Sequence, residues 1–462
     1  MSAGSLRQAQ EKMRAAGVAE VAVTVFSHYY ELLESGERGT IPESEIEPVR
    51  DLPNLDNLDT DESAARDALA RTTVIKLNGG LGTSMGVTGP KSALPVLDGL
   101  TFLDIIARQI LAVRQRYDVA LPLVLMNSFR TRDESLAILG KYDDLPVEGL
   151  PLDFLQNAEP KLRADDLTPV EWPQAPELEW CPPGHGDLYV ALVASGLLDT
   201  LRAKGYRHAF ISNADNLGAV PDGRIVAWMA EHEVPFGMEV CRRTRSDRKG
   251  GHIAVRRSDG RLVLRDSAQV ADGEEDLFQD TSLHTTFSTN NLWIDLDRLA
   301  ELMADHDGVL GLPIIVNRKT VDPADPDSPK VIQLETAMGT AIETFEGARA
   351  VLVDRRRFKP VKTTDDLLVL RSDVYELAAD GTLVTTREGD QPYVALDPEH
   401  FKILADFEER FAHGAPSLAG ADRLEVRGDV AFGKDVTVVG EVEVEAPAGE
   451  RLRIPDGTRL QG

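Results

Sequence analysis

The chain has 462 residues with 42% hydrophobic content, long and apolar enough to bury a large core and to form a principal domain with one or two smaller ones. Lys and Arg number 50 against 77 Asp and Glu, a formal net charge of -27 that argues against non-specific binding to nucleic acid or to an anionic membrane; an anionic ligand must meet a local basic pocket. The two cysteines, Cys181 and Cys241, lie outside any metal-ligand spacing, no basic head with an apolar stretch opens the chain, and no run of about 18 apolar residues could span a bilayer, so a reducing, cytoplasmic setting is expected.

Leu6 to Ala16 and Glu20 to Leu33 carry apolar residues at helical spacing and predict two helices, followed by an irregular connection over the acidic, Pro-bearing stretch Ile41 to Glu62. Thr72 to Leu77 is a β-branched run that predicts a strand. After a glycine-rich loop, Phe102 to Val113 predicts a helix and Leu121 to Met126 another strand. The alternation continues with a helix over Leu188 to Leu201, a strand over His208 to Asn213, a helix over Ile225 to His232 and a strand over Pro235 to Val240. This rhythm predicts an α/β fold whose mixed, mostly parallel central sheet is flanked by helices in a Rossmann-like manner. His252 to Arg256 and Leu262 to Arg265 flank Ser258, Asp259 and Gly260 and predict an antiparallel hairpin decorating the sheet. From about Glu425 the texture changes, with valines at even-numbered spacing among Gly428, Gly433 and Gly440. A small separate β-domain of one or two β-helix coils is expected, bounded near Ser417 to Asp422, with an edge that needs a cap or a partner. The expected organisation is a helical segment over 1–71, a principal domain over 72–418 and the β-domain over 419–462.

The sharpest feature is the loop from Lys76 to Ser92, which places five glycines in eleven residues directly after a predicted strand and ends in Pro90, Lys91 and Ser92. Glycines leave main-chain N–H groups bare, so phosphates and a base can approach closely, and Lys91 adds a point charge. A mere turn rarely needs so many glycines before Pro-Lys. A kinase-type P-loop requires Gly-Lys-Ser or Gly-Lys-Thr, but Pro90 separates Gly89 from Lys91; a dinucleotide fingerprint fits Gly80 and Gly82 and then meets Met85 where glycine is needed. A nucleotidyltransferase loop remains.

This loop, reading Leu77, Asn78, Gly79, Gly80, Leu81, Gly82, Thr83, Ser84, Met85, Gly86 and then Gly89, Pro90, Lys91, Ser92, resembles the signature of the eukaryotic-type UTP:glucose-1-phosphate uridylyltransferases. Further blocks resemble that family in order and spacing: Cys181 to Tyr189, Ile211 to Leu217, Lys249 to Gly251, Thr289 to Trp293, Val331 to Ala337 and Arg357 to Lys362. The resemblance runs from about residue 20 to the C-terminus. It implies a nucleotide-diphospho-sugar transferase-like catalytic domain, a left-handed β-helix at the C-terminus, and formation of UDP-glucose and pyrophosphate from UTP and glucose 1-phosphate with Mg2+.

By that resemblance, Lys91 and Lys362 reach the phosphates and are catalytic, Asp215 holds the magnesium ion, and Leu77, Asn78, Gly79, Gly80, Gln156 and Gly184 contact the nucleotide. His185, Asn213, Gly251 and Asn290 are implied to hold the sugar phosphate. The chemistry of these side chains agrees. Asp215 lies just past a strand, where open α/β sheets bind ligands, and the Gln156 amide can donate to and accept from a uracil edge. Each also has a plainer reading from the residues alone: a turn-capping Asp215, a solvated Lys362 beside Lys359, a structural His185, a strand-end Gln156, and turn-forming Asn213, Gly251 and Asn290. Glu159 departs from the family, where an aromatic is usual. The alternatives are a UDP-N-acetylhexosamine or broad-specificity pyrophosphorylase, whose members usually carry Arg where Ser84 stands, and a silent sugar-nucleotide-binding protein, which would have lost Lys91, Asp215 or Lys362. The C-terminal domain is expected to serve self-association as a homo-oligomer.

Overall fold

The computed structural model describes residues 2–36, 39–244, 247, 248 and 250–462; Lys249, part of one resembling block, lies outside them. The β-branched run at Thr72 forms an inner strand of a sheet that has ten strands among the described residues. In chain order these are β1 (Ile46–Pro48), β2 (Thr72–Asn78), β3 (Leu123–Asn127), β4 (Asp153–Leu155), β5 (His208–Asn213), β6 (Phe236–Arg242), β7 (His252–Arg256), β8 (Leu262–Arg265), β9 (Thr286–Asp295) and β10 (Arg349–Leu352). The main path runs β1-β7-β9-β5-β2-β3-β4. The ladders joining β5, β2, β3 and β4 are parallel, as is the β6–β10 pair; β9 runs antiparallel to both β5 and β6. The predicted hairpin is present as β7 and β8, with His252 opposite Arg265.

The parallel strands read as continuous apolar runs because both of their faces are covered. Successive side chains point to opposite faces, so Val74, Leu123, Leu125 and Phe210 enter one core with the helix Phe102–Tyr117. Ile75, Val124, Met126, Ala209 and Ile211 enter a second core with Phe26 and Tyr30 of the helix Glu20–Ser35 and with Leu188 to Leu192. Phe102–Tyr117 begins where its sequence allows, since Thr101 and Asp104 form a reciprocal cap.

Three local expectations change. The helix predicted over Leu188 to Leu201 divides into Leu188–Ala194 and Leu197–Ala203, because Gly196 adopts φ +70° and ends the first helix. The stretch Ile41 to Glu62 is not wholly irregular: Ile46 buries against Ala254 and Val263, and β1 becomes an edge strand paired with β7. A further helix, Glu62–Leu69, starts at Asp61, whose carboxylate accepts the Ala64 N–H at 2.7 Å.

At the C-terminus, β11 (Tyr393–Leu396), β12 (Ala421–Arg427), β13 (Val430–Phe432), β14 (Thr437–Glu445), β15 (Leu452–Ile454) and β16 (Arg459–Gln461) pair only in parallel. Leu424 lies beside Val442, Val430 beside Leu452 and Val438 beside Leu460, so the valines at even spacing stack in rows. Phe411 stacks on Phe432 with ring centroids 4.9 Å apart, joining this unit to the core beneath Phe102–Tyr117.

Candidate active site

The parallel register brings the carboxyl ends of β2, β3 and β5 to one edge. Leu77 pairs with Asn213 and Asn78 with Asn127, so the glycine loop leaving β2 and the Ala214–Asp215 turn leaving β5 emerge side by side. Asn78 is buried and its amide is fully engaged, donating to Asn127 Oδ1 and Ser135 Oγ at 2.7 Å each while its oxygen accepts from Ser92. Its side chain therefore anchors both ends of the loop, which leaves only its main chain to meet a ligand. Leu81 and Pro90 bridge across the loop, and Lys91 follows.

Lys91 Nζ donates to Asp215 Oδ2 at 2.7 Å although the residues are far apart in the chain. The other oxygen, Oδ1, is buried and has no hydrogen-bond partner. A hard cation would complete that oxygen. Among the described residues there is no cluster of three or more His, Cys, Asp or Glu placed to hold a metal, so such an ion would take its remaining oxygens from phosphate and water.

Lys362 reaches the same place from the far end of the sequence. Val361 N–H donates to the Asp215 carbonyl at 3.2 Å and Pro360 bridges to Asn216, which sets Lys362 next to the aspartate with its side chain exposed. The neighbouring Lys359 is turned away: its Nζ lies 4.1 Å from the centre of the Tyr375 ring and donates to the Leu383 carbonyl, and burial pulls its pKa down to about 8.

Gln156 approaches the loop from the end of β4, two strands along the sheet. A β-carbon built on Gly79 would stand 2.4 Å from Gln156 Oε1, so the amide lies against bare main chain, whereas the same position on Gly80 is open space. Gly184 adopts φ +80° and its β-carbon would fall 2.6 Å from the Thr336 carbonyl, a position closed to other residues. Gly186 N–H donates to that carbonyl at 2.9 Å and zips the Gly-His-Gly-Asp turn onto Val331 to Ala337.

His185, an exposed residue, accepts the Met338 N–H on Nδ1 at 3.0 Å. A backbone N–H can only donate, so the proton of the neutral ring sits on Nε2 and points outward as a donor. Asn290 Oδ1 lies 3.7 Å from the β-carbon position of Gly339, next to Met338, and Ser288 links Gly251 to Asn290 through two hydrogen bonds of 3.2 Å each. Asn290 takes φ +58°, a left-handed conformation that Asn tolerates well. The register that pairs Ile211 with Leu292 carries Asn213 and Asn290 to the same end of neighbouring strands. His185 and Asn290 thus flank Met338 and Gly339, Ser288 ties Gly251 to Asn290, and Asn213 lies beside Leu77.

The sequence matches the family described as UTP–glucose-1-phosphate uridylyltransferase over residues 23–439. It is 40% identical over 433 residues to the UTP–glucose-1-phosphate uridylyltransferase of Solanum tuberosum, covering 92% of this chain and 88% of that one. The chain belongs to this family. The Saccharomyces cerevisiae member is 39% identical over 445 residues, covering 95% of this chain and 86% of its own length. A mutant UDP-glucose pyrophosphorylase from Leishmania major in complex with UDP-glucose superposes with a TM-score of 0.92 at 43% identity, over 99% of this chain and 98% of that one. The Trypanosoma brucei UDP-glucose phosphorylase gives 0.91 at 46% identity, with the same coverage.

Sequence reasoning missed the group that holds the site from beneath. Glu239, fully buried on β6, accepts two bonds from Arg357 at 2.6 and 2.7 Å, one from Trp293 Nε1 at 2.9 Å and one from Asn291 Nδ2 at 3.1 Å. Asn216 then donates to the Arg357 carbonyl and accepts the Lys359 N–H, tying the Asp215 turn to the Lys362 segment. Lys76 is buried below, donates to Ser212 Oγ and the Ala219 carbonyl at 2.7 Å each, and is pulled down to about 7 by burial. The available signal was a lone charge inside an apolar strand, which is costly unless paired or hydrogen-bonded.

Proposed function

We propose that this protein joins UTP to glucose 1-phosphate, releasing pyrophosphate and forming UDP-glucose in a reversible reaction. The observation that carries the reading is the meeting of Lys91, Asp215 and the Lys362 segment beside a glycine loop with open main chain at Gly80. The substrates bring many negative charges together, so this site needs cations and N–H donors more than a general base. The sugar phosphate is already ionised near neutral pH and attacks the α-phosphorus in line with the departing pyrophosphate. Lys91 and Lys362 stabilise the charge that develops, the bare amides of Gly79 and Gly80 admit the nucleotide, and Gln156 with Gly184 reads the uridine. His185, through Nε2–H, and Asn213, Gly251 and Asn290 hold the glucose 1-phosphate.

Asp215 Oδ1 would hold Mg2+, which supplies neutralisation of phosphate charge when bound. The division into a helical segment over 1–71, a catalytic domain over 72–418 and a β-helix over 419–462 belongs to the same reading. So do the left hand of that helix, its use for self-association through the edge at β16, and a cytoplasmic location. No described helix is long and apolar enough to cross a membrane.

The test is pyrophosphate release by the purified protein with UTP and Mg2+ over a panel of sugar 1-phosphates. Glucose 1-phosphate is expected to give the highest kcat/KM; preference for an N-acetylated sugar would replace the assignment with the hexosamine alternative.

A further inference from the structure

We infer that Asp187 is a positioning residue for uracil recognition, clamping the peptide of Asn157 so that the Gln156 amide stands at the base. Asp187 opens the helix Leu188–Ala194, where an aspartate ordinarily caps the first free N–H groups; here its side chain makes no cap bond. The carboxylate instead crosses to another segment. Oδ2 accepts the Asn157 N–H at 2.6 Å and Oδ1 accepts Asn157 Nδ2 at 2.7 Å.

The consequence falls on Gln156. Its own N–H donates to the Asn127 carbonyl at 2.8 Å, and the next N–H is held by Asp187, so both peptide planes flanking it are fixed. Its side chain is then delivered against Gly79, and the turn that delivers Asp187 also carries Gly184 and His185. One buried carboxylate thus joins the two segments that face the nucleotide, and side-chain placement within about 0.5 Å is what such recognition requires. The arrangement is held at a cost: Asp187 is 4% exposed, and burial pushes its pKa up to about 7 in spite of the two bonds.

The inference rests on Gln156 as the base reader, and the experiment separates the two. Steady-state kinetics of the full-length enzyme are measured for Asp187→Ala, Asp187→Asn and Gln156→Ala with UTP, CTP and glucose 1-phosphate. Asp187→Ala is expected to raise the KM for UTP at least tenfold, lower the UTP-over-CTP preference by a similar factor, and leave kcat and the KM for glucose 1-phosphate within threefold. Asp187→Asn, which keeps an acceptor for the Asn157 N–H, should recover part of both losses. If Asp187→Ala does not fold, Asn157→Ala removes the side-chain half of the clamp and should move the same two quantities by a smaller factor. A fall in thermal stability with unchanged KM and unchanged base preference would assign Asp187 a structural role only and overturn the inference. Unchanged base preference in Gln156→Ala would overturn the base-reader assignment, and the inference with it.

Discussion

Gly79→Ala is the most direct probe of the glycine loop because its effect can be worked from distances. The new methyl would lie 2.4 Å from Gln156 Oε1, 2.9 Å from Cδ and 3.1 Å from Nε2, where ordinary contact begins at 3.4 Å. The amide must retreat by about 1 Å, a displacement large enough to cost some hundredfold in a positioned reaction. The fold has little reason to suffer, since Gly79 is not among the residues with positive φ and the obstructing atoms end a flexible side chain. Removing a glycine also restricts the unfolded chain, an effect of about 0.4–1 kcal/mol in favour of the variant. Two weakened hydrogen bonds to the base, at about 0.5–1.5 kcal/mol each, correspond to a KM for UTP raised about 5- to 150-fold with the melting temperature nearly unchanged. The assay is pyrophosphate release against UTP at saturating glucose 1-phosphate, with differential scanning fluorimetry alongside. A KM within twofold of the parent would show that Gln156 does not face the base.

Three more outcomes are expected. Lys362→Ala and Asp215→Ala should each lower kcat by about 10²–10³, the usual loss for one group stabilising developing charge, and Asp215→Ala should also raise the Mg2+ concentration needed for half-maximal rate. Circular dichroism of Lys362→Ala should match the parent, because its side chain is exposed. Glu239→Ala strands Arg357, whose side chain is only 13% exposed, and should cost about 3 kcal/mol in urea unfolding; a loss under 1 kcal/mol would mean the pair does not hold the site together. Glu159 is buried with Oε1 unpartnered, and burial together with the nearby Asp187 and Glu335 charges raises its pKa well above the usual range. The folded protein then binds more protons than the unfolded chain, so stability falls as pH rises from near 4.5 toward the raised folded value. Glu159→Gln should melt higher than the parent at pH 8 and close to it at pH 4; parallel curves of melting temperature against pH would refute this.

Much of this protein is legible in its sequence. The β-branched runs at Thr72 and His208 and the apolar periodicity of Phe102 to Val113 depend on local propensity and on the period of burial, and they became β2, β5 and the helix Phe102–Tyr117. The glycine loop was legible because the absence of side chains is itself a chemical statement. Elements lacking a local signal were not: Ile46 gains its partner only when the hairpin β7–β8 folds beside it, and the break at Gly196 required knowing that the chain turns there.

The sequence by itself determined the parts: the alternation that makes the sheet, the bare loop, and the identities of Lys91, Asp215 and Lys362. Tertiary structure alone decided that Lys91 meets Asp215, that the main chain before Lys362 lies beside them while Lys359 turns to Tyr375, and that Glu239 with Arg357 and Asp187 with Asn157 tie distant segments together. The reason is that strand register and buried polar pairing join residues more than 100 positions apart, and no local period in a chain records which distant partner will satisfy a buried charge.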